Sequence, residues 1–134
     1  RRVAVVKDIF DWDQQRMHLD TVFNICSENC CVMLETIMGI HSPIRRLVTE
    51  YTKGENGKYY VSKRHVEFSE YVKQEGYHII PISDKQQRAY GINFLNLGNG
   101  FIISVDESTA RTILKCKHFN GSIQVIDFSG MTTM

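Results

Sequence analysis

A chain of 134 residues is long enough for one well-buried core and too short for two. Its 43% hydrophobic and 23% charged content is that of an ordinary globular protein, and a formal net charge of +1 excludes the basic field that non-specific nucleic-acid binding needs. No apolar run approaches the ~20 residues that span a bilayer, and no charged-apolar-small leader marks secretion.

The chain opens on Arg1-Arg2-Val3-Ala4-Val5-Val6 without an initiator Met, so it reads as a piece of something longer. Residues 1–7 are expected to close a preceding unit with the strand 3–6. Asp11 and Asp13, flanking Trp12, read as a polar turn between strands. A strand is predicted over 17–26, a tight turn at Ser27-Glu28-Asn29, and a partner strand over 30–36. Residues 39–63 look like an insertion holding its own hairpin, 47–52 against 58–61, around Gly54-Glu55-Asn56-Gly57. Tyr59 and Tyr60 belong to that strand pair. The pairs Arg45-Arg46 and Lys63-Arg64 are too short to form a basic patch and are placed on the solvated surface.

A helix is predicted over 64–75, with Phe68, Tyr71 and Val72 on its buried face and Gly76 as its stop. The strand 77–82 follows, and Pro81, which cannot donate to a ladder, puts it near an end or an edge. The same order then recurs more compactly. Strands 91–97 and 101–105 flank Gly98-Asn99-Gly100, a helix capped by Asp106 or Ser108 runs to about 119, and a closing strand covers 122–128. Ala110, Ile113 and Leu114 are expected on the helix's buried face. The fold class is thus α/β, with two ββαβ units over 17–83 and 90–128. Units of this size cannot cover their own sheets, so the repeat predicts neighbours. An exposed sheet edge in such a pair also invites pairing with a second copy, as a homo-oligomer.

The candidate chemistry centres on Met17-His18-Leu19-Asp20-Thr21-Val22-Phe23. Alternate strand residues share a face, so His18 and Asp20 are expected to point the same way, with Leu19 and Val22 as packing. An acid or base beside a fixed anion suits an enzyme acting on a cationic, nitrogen-rich substrate. Asn93 occupies the corresponding place in the second unit and is a candidate for the same site. Cys26, Cys30, Cys31 and Cys116 suit a reducing, cytoplasmic compartment. They read as small buried apolar residues, since no further ligand stands at metal-binding spacing. His41, His65, His78 and His118 have no comparable neighbours and are placed at the surface or the core edge.

The run from Met17 to Phe23 closely resembles the His-containing segment of arginine deiminases, members of the guanidino-group-modifying, or pentein, superfamily. More weakly, the stretch from Tyr90 to Ser104 looks like the strand pair before that family's last helix. The resemblance implies a five-bladed α/β propeller, of which this chain holds two blades. It also implies hydrolysis of arginine to citrulline and ammonia without metal or organic cofactor. In that family the matching His and Asp are both catalytic, which assigns the acid/base role to His18 and guanidinium binding to Asp20. The family's nucleophilic Cys follows shortly after the last strand, and none of the four cysteines here stands at that position. It and the remaining carboxylates are therefore expected outside this chain, which by itself should be inert on arginine. An amidinotransferase of the same superfamily and a non-catalytic, propeller-derived binding module are the alternatives.

Overall fold

A continuous apolar run, Cys-Cys-Val-Met-Leu, dictates the centre of the structure. The computed structural model describes residues 1–127, and this run forms strand β3 (Cys30–Leu34), buried at every position. Burial on both faces is what a central strand requires. β2 (Phe23–Ser27) pairs with it antiparallel, with a bulge after Ile25, and β6 (His78–Ile82) pairs with it parallel. Among the described residues β6 is an edge strand, which accommodates Pro81.

A second sheet repeats this arrangement. β7 (Leu95–Asn96) and β8 (Phe101–Ser104) are antiparallel, and β9 (Ser122–Val125) returns parallel to β8. Residues 98–100 make the turn, with φ of 92, 54 and 75° in succession, a run that suits Gly-Asn-Gly. Between β8 and β9 lies α3 (Glu107–Leu114), capped by Asp106, whose carboxylate accepts the Thr109 N–H at 3.0 Å. α3 stops at Leu114, five residues short of the expected end, and Leu114 is 51% exposed while Ala110 and Ile113 are buried. Strand pairing begins only at Leu95 and ends at Val125, so both outer strands are shorter than predicted. Phe128, placed at the end of the closing strand, lies outside the described residues.

The hairpin of the predicted insertion joins the chain's first strand. β1 (Arg2–Lys7), β4 (Leu47–Lys53) and β5 (Tyr59–Glu67) form an antiparallel sheet in the order β1-β4-β5. The ladder with β4 carries β5 through Glu67, past a register shift where His65 adopts φ 56°, so residues 64–67 are strand rather than helix. Only then does α1 (Phe68–Gln74) begin, because the Glu67 carboxylate captures the N–H groups of Ser69 and Glu70. Glu50 fastens this sheet to α1. Its buried carboxylate accepts from Tyr71 at 2.6 Å, Ser62 at 2.8 Å and Arg2 at 3.1 Å. The Tyr71 and Ser62 hydrogen bonds hold it below the usual carboxylate range.

α2 (Asp84–Arg88) is an element the sequence reading omits. Ser83 and Gln86 form a capping box around its start. The β2-β3-β6 and β7-β8-β9 sheets share one core, in which Met33, Leu34, Phe68 and Ile82 meet Ile92, Ile102 and Ile113. Side-chain amides stitch the seam. Asn24 donates to Ile92 O at 2.8 Å and Phe94 O at 3.0 Å, and Asn96 donates to Ile25 O at 2.7 Å. Gly91 is required here by close approach, since a Cβ would lie 2.0 Å from the Thr109 hydroxyl. Among the described residues no helix is long and apolar enough to cross a membrane.

Candidate active site

His18 and Asp20 are presented by a short 3-10 turn, Leu19–Thr21, and not by a strand. The Thr21 N–H and hydroxyl both donate to His18 O, at 3.1 and 2.5 Å, and Val22 N–H donates to Leu19 O at 3.1 Å. A threonine bonding backbone three residues back competes with the ladder a strand would need. His18 keeps an extended backbone as the capping residue, φ −102 and ψ 148. Both residues nevertheless line one open cleft of about 500 Å³, together with Leu19, Phe23, Asn24, Ile25 and Asn96. On its other side His18 borders a cavity of about 160 Å³ walled in part by Asp8, Arg16 and Arg46. A further cleft of about 560 Å³ lies between the 27–29 and 98–100 turns and includes Glu28 and His118. Volume does not choose among them. The His18 cleft is distinguished by an imidazole and a carboxylate two positions apart on one turn.

The segment ahead of His18 is held by an ion network whose role is not evident from the sequence. Arg46, placed by the sequence reading on the solvated surface, is 2% exposed. Its guanidinium reaches Asp11 at 3.0 Å, Asp8 at 3.3 Å, Ile44 O at 2.7 Å and Arg16 O at 3.0 Å. Arg16 in turn forks onto Asp11 at 2.7 and 3.0 Å. Burial alone would push the Asp11 carboxyl up. Hydrogen bonds from Arg16, the Asp13 N–H and Arg46 overcome that and hold it at about 2. Asp11 and Asp13 thus belong to a cross-linked turn: Asp13 caps the 3-10 turn Gln14–Arg16, where it accepts from the Gln15 N–H. Arg45 lies over the Phe10 ring at 4.3 Å.

Asn93 reaches the same turn, although it lies before β7 rather than within a strand. Its Nδ2 donates to the backbone carbonyl of Asp20 at 3.1 Å. His78 and His118, expected as isolated residues, stack 4.1 Å apart. Burial, then the facing His118, lower the proton affinity of His78.

No cysteine lines the His18 cleft. Cys26, Cys30 and Cys31 are fully buried. Burial, then neighbouring thiols, push Cys30 up to about 11 and Cys31 to about 12, and Cys26 is raised further. A thiol kept protonated and out of solvent is a poor nucleophile. Iodoacetamide at mildly alkaline pH is therefore expected to leave these three unmodified in the folded protein and to label them after denaturation, as read by peptide mass spectrometry. Labelling before unfolding would contradict their packing.

The family model described as arginine deiminase matches residues 1–133, across all three sheets and the His18 turn. The chain belongs to the arginine deiminase family. A comparison with curated protein sequences finds no match. Family membership gives an arginine deiminase-like function at family level, a hydrolase acting on guanidino groups, with arginine as the implied substrate.

The residues that support the turn leave a weaker trace in the sequence than the motif does. A capping-box signature does stand at Ser83 and Gln86. By contrast, Arg46 pairs with Asp11 35 positions away, and no local pattern announces that.

Proposed function

We propose that this chain carries the acid/base and one guanidinium ligand of an enzyme that converts arginine to citrulline and ammonia through a covalent cysteine–amidino intermediate. The observation that supports it is the shared cleft of His18 and Asp20 in a member of this family. A guanidinium is planar, delocalised and always charged, so its carbon resists direct attack by water. In this reading the Asp20 carboxylate accepts hydrogen bonds from guanidinium N–H groups and fixes the plane. A thiolate adds to the carbon, and His18 gives a proton to the departing nitrogen as the C–N bond breaks and ammonia leaves. The neutral imidazole then takes a proton from water as its oxygen adds to the carbon. Cleavage of the C–S bond, with loss of the remaining hydroxyl proton to solvent, releases citrulline and regenerates the thiolate. Neither step calls for a metal or an organic cofactor.

The thiolate is assigned to polypeptide outside this chain, because three of the four cysteines are buried and protonated and none lines the cleft. The common strand order and direction of the β2-β3-β6 and β7-β8-β9 sheets support two blades of a five-bladed propeller over 17–83 and 90–128. The other blades would supply the remaining carboxylates. Buried free thiols suit a cytoplasmic setting.

Asp20→Asn in the full-length protein tests the assignment. Loss of charge-assisted hydrogen bonds is expected to raise the KM for arginine about tenfold or more, at roughly 1.5–3 kcal/mol. An unchanged KM would remove Asp20 from the substrate. Assaying products with and without glycine checks the reaction class, since an amidinated amine in place of citrulline means transfer rather than hydrolysis.

A further inference from the structure

The His18–Asp20 turn owes little of its position to burial. Met17 is 63% and Leu19 47% exposed, and His18 and Asp20 are themselves exposed. A three-residue 3-10 turn is marginal by itself, with poor hydrogen-bond geometry and a costly nucleus. Yet an acid/base and an anion that act on one substrate must be held within a fraction of an ångström. The position has to come from elsewhere in the fold.

Two side chains distant in sequence supply it. Arg46 Nη2 donates to the carbonyl of Arg16 at 3.0 Å, 30 positions away, and Asn93 Nδ2 donates to the carbonyl of Asp20 at 3.1 Å, 73 positions away. The acceptors are backbone oxygens that bracket Met17, His18 and Leu19. Arg46 is itself immobilised by Asp11, Asp8 and Ile44 O, and stands next to the first residue of β4. Asn93 sits between the buried residues Ile92 and Phe94, whose carbonyls are tied by Asn24. One donor is therefore rooted in the β1-β4-β5 sheet and the other in the second unit.

We propose that Arg46 and Asn93 are positioning residues that clamp the His18–Asp20 turn between two parts of the fold, and that Asn93 serves catalysis through the Asp20 carbonyl rather than by touching substrate. The link to catalysis rests on the reading of His18 and Asp20 as reacting groups; the clamp itself does not. A carbonyl held on each side fixes where the imidazole and carboxylate stand while leaving both side chains free for the cleft.

The test uses the full-length protein with Asn93→Ala, a change at an exposed position, and Arg46→Lys, which keeps the charge but cannot reach Asp11, Ile44 O and Arg16 O together. Hydrogen exchange followed by mass spectrometry over residues 17–22 needs no substrate. Both variants are expected to exchange about tenfold faster there than the parent, with peptides from β3 unchanged. The kcat for arginine should fall about tenfold or more while KM stays within about twofold, as misplacement of reacting groups requires. Unchanged exchange at 17–22 in Asn93→Ala overturns the clamp. Faster exchange with kcat intact overturns its link to catalysis. A rise in KM alone makes Asn93 a substrate ligand and overturns the assignment. A parent protein inert on arginine instead defeats the deiminase reading, while the exchange data still decide the clamp.

Discussion

Alanine at position 18 of the full-length protein is expected to lower kcat for citrulline formation by about 10²–10⁴-fold, the usual worth of a positioned acid/base, and to leave KM within about threefold. The structure makes this a clean substitution. His18 is exposed and caps its turn through the backbone, with no side-chain cap hydrogen bond. Within the turn Thr21 donates to His18 O, and alanine retains that carbonyl. Removing the imidazole should therefore cost no more than about 0.5 kcal/mol of stability, as for most surface changes. Lost turnover with an unchanged melting curve would then report chemistry rather than unfolding. Binding should survive, because Asp20 and the remaining polypeptide hold the guanidinium. A kcat within twofold of the parent would take His18 out of the mechanism. If the variant instead accumulates a covalent amidino-protein, detectable by intact mass, His18 acts mainly in the second, hydrolytic half.

The elements legible from sequence were those fixed by local pattern. The apolar run of β3, the Gly98-Asn99-Gly100 turn, the Asp106 cap and the edge placement of Pro81 each follow from a few adjacent residues. The structure departs from local pattern where a long-range partner outweighs a local preference. Residues 64–67 have helical neighbours, but β4 offers a ladder and β5 runs on. Residues 17–22 alternate like a strand, but Thr21 bonds back to His18 and closes a turn. Arg46 follows another arginine, and its place inside is explained by partners distant in the chain, the carboxylates of Asp11 and Asp8 and the carbonyl of Arg16. The motif around His18 was recognisable because its residues are contiguous. Its supports were not, because Arg46 and Asn93 are distant in the chain and act on backbone oxygens, whose partners sequence does not encode.

Asp11 should make the protein's stability sensitive to acid in a definable window. Its carboxyl sits at about 2 in the folded state against a reference of 3.8, so the folded form resists a proton that the unfolded chain accepts. Its contribution is fully present above about pH 4 and is lost as pH falls toward 2, amounting to roughly 2 kcal/mol across the window. Asp11→Asn isolates it. The amide keeps the shape but leaves Arg46 buried without its closest anion, a loss of about 3–5 kcal/mol at neutral pH. Urea midpoints measured from neutral pH to about pH 2 should therefore show the variant less stable at neutrality and with a shallower decline below pH 4 than the parent. Glu50, whose carboxyl is also held down, declines in both proteins and cancels from the difference. Parallel declines would mean that protonation of Asp11 is not coupled to folding. Because the same carboxylate steadies the arginine that grips Arg16 O, acid should loosen the residues before His18 ahead of the β3 core. Hydrogen exchange in the two regions, compared at neutral pH and near pH 3, separates that local release from global unfolding.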